Sequence, residues 1–216
     1  MKLYGFFRSS ASYRARIALN FKGLPHEAVA VDLRAPVSAQ RSAEFLALNP
    51  EGLVPVLIDG AHVVRQSLAI IEYLEETHPA PPLLPSSPAA RAQVRALTLA
   101  IACDIHPLNN LRVLNYLRSP LGHADADVDA WYAHWIARGF QALETEVRVS
   151  SSDGLHMFGA AVTLADVFLV PQMYNARRLK CDLEPYPRLR AIDAHLQALA
   201  AFASAAPEAQ PDAPRS

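Results

Sequence analysis

Cysteine is scarce in this sequence, and the two residues present, Cys103 and Cys181, form no CxxC pair and no Cys/His ligand spacing. That excludes a disulfide scaffold or a zinc site of ordinary spacing, and predicts reduced thiols in a cytoplasmic compartment. Charge of one sign is lacking too, with 20 Lys and Arg against 21 Asp and Glu. A near-neutral chain has no general attraction to nucleic acid or to an anionic membrane, so an anionic ligand must be met by a few locally placed arginines. No run approaches the roughly 18 consecutive apolar residues of a spanning helix. The opening Met1-Lys2-Leu3-Tyr4-Gly5-Phe6-Phe7-Arg8 has neither the apolar core nor the small-residue cleavage site of a signal peptide. There is no internal repeat. About half of the 216 residues are hydrophobic, enough for a substantial core, and the length suits one or two domains of roughly 100–200 residues each.

What is present is an abrupt change of pattern near residue 79. Residues 1–78 alternate strand and helix signals. Lys2 to Phe6 reads as a strand, and Ser10 to Lys22 as a helix closed by Gly23 and Pro25. His26 to Asp32 is a second strand, parallel to the first if the helix between them is a crossover. Ser42 to Leu48 is a weaker helix stopped before Pro50. Val54–Ile58 and His62–Val64 form a hairpin about Asp59-Gly60, and Ser67 caps a helix from Leu68 to Glu76. The order βαβαββα is a thioredoxin-like arrangement. Residues 79–88 hold five prolines and read as a stiff linker. Residues 89–206 then carry only helical patterns, at 89–118, 128–149, 164–178 and 188–205, and 207–216 reads as a loose tail. Pro107 and Pro171 inside those helices each remove a backbone bond, costing on the order of 3 kcal/mol, and predict kinks. Thr163-Leu164-Ala165-Asp166 fits a capping box in which the carboxylate reaches back to the cap amide.

Three turns of the first domain suit an anionic or peptide-like ligand. Arg8-Ser9-Ser10-Ala11-Ser12-Tyr13-Arg14 lies where a strand turns into a helix, whose open amides and dipole favour an anion, and serine hydroxyls there lower a thiol pKa. Leu53-Val54-Pro55-Val56 opens a strand with a proline, and Gln66-Ser67 starts the next helix. Taken singly, each is more often an ordinary cap or strand start than a ligand site.

Several motifs extend this pattern collinearly over nearly the whole chain. Arg8-Ser9-Ser10-Ala11-Ser12-Tyr13-Arg14-Ala15-Arg16-Ile17-Ala18-Leu19 resembles the SSCSWRxRIAL signature of the zeta-class glutathione transferases. Ala47-Leu48-Asn49-Pro50, Val54-Pro55, the Gln66–Glu75 segment, Leu164–Gln172 and Asp182–Pro187 resemble the same class, and Ile105–Asn110 resembles its bacterial members. The resemblance implies the glutathione transferase fold: an α/β N-terminal thioredoxin-like domain plus an all-α C-terminal domain. It implies a homodimer, and a role in aromatic catabolism as an isomerase of maleylacetoacetate or maleylpyruvate. Glutathione is the implied cofactor, held by Ser9, Ser10, Ala11, Ser12, Tyr13, Arg14, Gln40, Val54, Gln66, Ser67 and Asn110. Val54 pairs with the cysteinyl unit before a cis Pro55. Gln66 and Ser67 take the γ-glutamyl end, Ser9 and Ser10 stabilise the thiolate, and His106 faces the thiol. Arg8 and Arg178 match positions that bind substrate carboxylates, whereas Arg177, about 100° around the helix, is expected in an ion pair. The implied chemistry is thiolate addition to a cis double bond, rotation and elimination. Ala11 stands where the signature has cysteine, which excludes a covalent role for that side chain. The same scaffold admits a conjugating or dehalogenating transferase acting on α-halo acids, or a binding protein without turnover. Chloride release and glutathione binding distinguish these alternatives.

Overall fold

Four short strands, β1 (Lys2–Gly5), β2 (Glu27–Ala30), β3 (Val56–Asp59) and β4 (His62–Arg65), form a mixed sheet of order β2-β1-β3-β4 in the computed structural model, which describes residues 1–34, 36 and 38–214. β1 pairs parallel with β2, as the crossover helix α1 (Ser10–Phe21) requires, and antiparallel with β3, which pairs antiparallel with β4. The central strands carry Leu3, Val56 and Leu57 into the core, whereas β2 and β4 are short and mostly exposed, the form in which sheet edges resist further pairing. Helices α1 and α3 (Ser67–Thr77) pack together, and Ile17, Ala18 and Leu19 of the first and Ile70, Ile71 and Leu74 of the second are all buried. Each large aliphatic side chain so buried contributes about 1.5–3 kcal/mol. The short α2 (Ala43–Leu48) starts on Ser42, whose Oγ accepts from Phe45 N at 3.2 Å. Gly23, at φ +64°, ends α1 by donating to Asn20 O, a left-handed conformation that glycine adopts without steric cost.

Local expectations fail at two turns of this unit. The hairpin turns at Gly60-Ala61, because Asp59 still pairs with His62. Ser67 does not cap α3. The cap position is Gln66, at φ +69°, and Ser67 is the first helical residue, with its Oγ accepting from Arg14 Nη1 at 3.5 Å.

Residues 1–82 form one unit together with the chain from Ala198 onward, and residues 83–197 form the other. The described part of the tail, residues 207–214, is therefore not loose. A short helix α9 (Ala200–Ala203) buries Phe202 and packs on α1. A 3-10 turn follows over Pro207–Ala209, and the Gln210 amide donates to Ser204 O and Ala206 O. The helix expected over 188–205 is thus two, α8 (Pro187–Gln197) and α9.

The second unit is all helical, with α4 (Pro88–Asp104), α5 (Leu111–Arg118), α6 (Asp125–Ser150), α7 (Leu164–Arg178) and α8. Ser87 caps α4, accepting from Ala90 N at 3.2 Å. The Pro-rich segment is pinned here by buried Leu83 and Leu84, and Leu164 N donates to Leu83 O. The continuous helix expected over 89–118 breaks at 105–110 instead of kinking at Pro107, which has no N–H to carry the ladder onward. Ile105 is held there against Gly139 of α6, where any Cβ would overlap its side chain. α7 runs unbroken through Pro171 and is buried along most of its length, as expected of a helix apolar on nearly all sides. Among the described residues no helix is long and apolar enough to cross a membrane.

Asp166 fixes the start of α7. Its carboxylate accepts from Thr163 N at 2.7 Å, Thr163 Oγ1 at 2.8 Å and, nine residues back, Met157 N at 2.8 Å. Asp166→Ala is expected to lower the unfolding free energy by about 2–3 kcal/mol, read by urea denaturation. Burial pushes this carboxyl up to about 6 despite those bonds. A folded-state value above the unfolded one means that the native state holds the proton more tightly. This group's contribution to stability therefore grows as pH falls from about 6 towards about 4. Asp166→Asn is expected to remove that slope from the pH dependence of the denaturation midpoint.

Candidate active site

Register alone brings the ligand-friendly turns to one end of the sheet. Tyr4 near the end of β1 lies opposite Val56 at the start of β3, and Val56 lies opposite Arg65 at the end of β4. The segments Phe6–Ser10, Val54-Pro55 and Gln66-Ser67, which continue these strands, therefore emerge at the same end. The Val54-Pro55 bond is cis.

The run from Ser9 to Arg14 divides by side-chain direction. Ser9 sits before α1 in extended conformation, and its Oγ accepts from Ser12 N at 3.2 Å. Its hydroxyl proton is left to donate. Ser10 is the first helical residue and is 6% exposed, placed among the amides that end the helix ladder. Ala11 follows, half-buried. Ser12 is wholly buried, with its Oγ taking the Phe6 amide at 3.4 Å. Tyr13 is buried and donates to Phe202 O at 3.4 Å. Arg14 is buried beneath α3, and burial pushes its guanidinium down to about 9. The side chains of residues 12–14 are thus built into the protein, while Ser9 is half-buried and Ser10 is buried at the first position of α1. Arg8 is exposed, its guanidinium 6.0 Å from the Phe6 ring and 5.8 Å from the Phe7 ring.

Across the sheet end, Gln40 lies in a 3-10 turn (Ala39–Arg41), with its side-chain Oε1 buried and accepting no hydrogen bond. Gly52, at φ +63°, approaches the Gln40 carbonyl so closely that a Cβ would lie 3.1 Å from it. Ala39 and Val54 pack on one apolar cluster of Val31, Phe45 and Val56. Gln66 Nε2 donates to Glu51 Oε2 at 2.9 Å, which ties the start of α3 to the loop before Val54. The structure thus brings Gln40, Val54, Pro55, Gln66 and Ser67 into one neighbourhood.

His106, Asn110 and Arg178 belong to the second unit. His106 and Asn110 lie at either end of the turn between α4 and α5, both half-buried. Asn110 caps α5, its Oδ1 accepting from Arg112 N at 3.1 Å. Arg178 is exposed on the last turn of α7, and its charge opposes the strong upward push that burial gives the Tyr132 hydroxyl. Arg177 instead pairs with buried Asp193, as its position around the helix predicts.

Residues 3–82 match the family described as Glutathione S-transferase, N-terminal domain. Over 211 residues, 98% of this chain and 97% of the other, the sequence is 56% identical to a probable maleylacetoacetate isomerase of Vibrio cholerae. The chain belongs to the zeta-class glutathione transferases. Solved structures of this class superpose on it closely. The holo structure of a maleylpyruvate isomerase, a bacterial zeta-class transferase, matches with TM-score 0.95 at 50% identity, covering 99% of this chain and all of the other. A maleylacetoacetate isomerase from Methylobacterium extorquens, solved with bound malonate and glutathione, matches with TM-score 0.94 at 40% identity, with full coverage of both. In this zeta-class chain, the site neighbourhood also includes Arg34, which no sequence motif marked, and Arg16, which lies within the first signature without an expected role in the site. Arg34 lies 5.8 Å from the Phe6 ring and is forked onto Asp32, which holds that carboxyl down at about 2. Arg16 binds the carbonyls of Phe6 and Phe7. A lone arginine after a strand, or inside a helix, carries no local sign of such a partner.

Proposed function

We propose that this chain is a glutathione-dependent cis–trans isomerase that converts maleylacetoacetate or maleylpyruvate to the fumaryl isomer. The observation that carries the reading is the convergence of Ser9-Ser10, Val54-Pro55 and Gln66-Ser67 at one end of the sheet. The relatives named for these two substrates, and the malonate and glutathione bound together in one of them, support it.

The residues present fit glutathione. The buried Gln40 Oε1 accepts no hydrogen bond within the chain, the start of α1 carries the positive end of the helix dipole, and Val54 lies just outside the β3 ladder. On this reading the first unit supplies most of the glutathione contacts and Arg8, and the helical unit supplies His106, Asn110 and Arg178. Val54 pairs with the cysteinyl backbone, Gln66 and Ser67 with the γ-glutamyl end, and Gln40, His106 and Asn110 complete the set by family resemblance. When bound, glutathione supplies a thiolate that adds reversibly to the cis double bond and so frees it to rotate. Ser9 and Ser10 donate their hydroxyl protons towards the sulfur, and the first-turn amides of α1 favour its ionised form. Arg8 and Arg178 orient carboxylates by forked hydrogen bonds and stabilise negative charge as it develops on the substrate carbonyl.

A spectrophotometric assay on both maleyl substrates tests the proposal. Glutathione-dependent loss of the cis dianion without net consumption of glutathione is expected. Arg8→Ala and Arg178→Ala are each expected to raise KM for the dianion about tenfold. No turnover of either substrate at saturating glutathione would remove the reading. A cytoplasmic homodimer acting in aromatic catabolism belongs to the same proposal. The free Cys103 and Cys181 support a reducing compartment, and the resemblance to the class supports a second copy. Sedimentation of the purified chain at two concentrations checks the oligomer.

A further inference from the structure

Phe7, the residue that leads into Arg8, has both backbone polar groups held by side chains from outside its loop. Its N–H donates to Asp212 Oδ2 at 2.9 Å, and its carbonyl accepts from Arg16 Nη2 at 2.9 Å. The same buried Arg16 reaches Phe6 O at 3.4 Å and, through Nε, Ala205 O at 2.9 Å. A single guanidinium thus joins the loop before α1 to the chain terminus. The segment from Phe202 to Gln210 is itself held at several points. Tyr13 Oη donates to Phe202 O, Asn20 Nδ2 donates to Ser204 Oγ at 3.0 Å, and the Gln210 amide takes two carbonyls. Asp212 therefore reaches Phe7 from a rigid base.

With the N–H and the C=O of Phe7 both held, the two peptide units that flank it cannot swing, and the residue after it inherits that orientation. Arg8 is that residue, and its guanidinium is steadied against the Phe6 and Phe7 rings. A bidentate clamp on a carboxylate depends on such placement, since forked hydrogen bonds tolerate little misalignment. Asp212 also faces the cations Arg16 and Arg34, so its charge lies among partners that hold it in place.

We propose that Asp212 is a positioning residue for Arg8: the C-terminal segment, through the Phe7 peptide, aims the arginine that receives a substrate carboxylate. This deepens the reading of Arg8 given above and rests on it. The role is steric and directional, exerted through one hydrogen bond to a backbone amide.

The test uses the full-length chain loaded with glutathione and malonate as the dicarboxylate probe, with affinities read by calorimetry. Asp212→Ala is expected to weaken malonate binding about fivefold while the glutathione dissociation constant stays within about twofold. Asp212→Asn keeps an oxygen for the Phe7 amide and is expected to recover most of the loss. In an Arg8→Ala background, Asp212→Ala is expected to have no further effect on malonate, since the two act through one contact. Several results would overturn the proposal: unchanged malonate affinity in Asp212→Ala, equal weakening of glutathione and malonate, additive effects of the two substitutions, or a wild-type chain that does not bind malonate. A wild-type chain that binds malonate but turns over neither maleyl substrate would sink the isomerase reading, while the Asp212 result stands on affinity alone.

Discussion

Replacing Ser10 with alanine is expected to lower turnover about 100-fold while leaving glutathione affinity within about twofold, the pattern of a donor that acts mainly on developing or ionised charge. The two adjacent serines differ because the helix begins between them. Ser9, still extended, spends its oxygen on the Ser12 amide, so Ser9→Ala is expected to cost about 1 kcal/mol of stability as a lost cap. Ser10 stands at the first helical position and is 6% exposed, where reduced solvent access strengthens a hydrogen bond to an anion. With less stabilisation of the thiolate, the sulfur pKa rises. The loss of rate should therefore be greatest near neutral pH and shrink as pH rises, with the bound thiolate's ultraviolet absorbance titrating at higher pH. Ser10→Thr, which retains the hydroxyl, is expected to restore most of the rate. Unchanged turnover and pH profile in Ser10→Ala would assign the sulfur to Ser9 and the helix amides.

Lys22→Ala is expected to destabilise the first unit by about 3–5 kcal/mol, the usual consequence of removing one member of a buried ion pair. The side chain of Lys22 is fully buried, and its ammonium group donates to Glu75 Oε2 at 2.7 Å, His78 O at 2.8 Å and Pro81 O at 2.9 Å. It therefore ties the end of α1 to α3 and to the segment that leaves the unit. Removing it takes the cation away from Glu75 and leaves two carbonyls without this donor. The double substitution Lys22→Met with Glu75→Leu is expected to recover much of the loss, because apolar pairs of similar volume commonly replace a buried ion pair at little cost. Urea denaturation of the two variants checks both statements. A loss below about 1 kcal/mol in Lys22→Ala would place the pair in the class of solvated surface bridges.

Neither the burial of Lys22 nor the role of Asp212 is legible along the chain. A lysine beside Gly23 reads as an exposed helix end, and an aspartate among Pro and Ala near the terminus reads as tail. Similarly, Arg14 and Arg16 occupy what looks like the polar stripe of α1, yet both are buried, one under Ser67 and the other on backbone carbonyls. The helix break after Asp104 was visible only as a proline, and the fit of Ile105 against Gly139 decided that the chain turns there.

The amino-acid order by itself determined the βαβαββα start, the all-helical remainder, the cap at Gly23, the Thr163–Asp166 device and the zeta-class motifs. Each of these is settled by steric preference and hydrogen bonding within a few residues. Tertiary structure alone decided which charges are interior, that Ser67 serves Arg14 instead of a helix end, and that the terminus returns to the first turn. The Asp212–Phe7 bond spans 205 positions. A bond of that span depends on where the packed core delivers two distant segments, and no local pattern of residues encodes it.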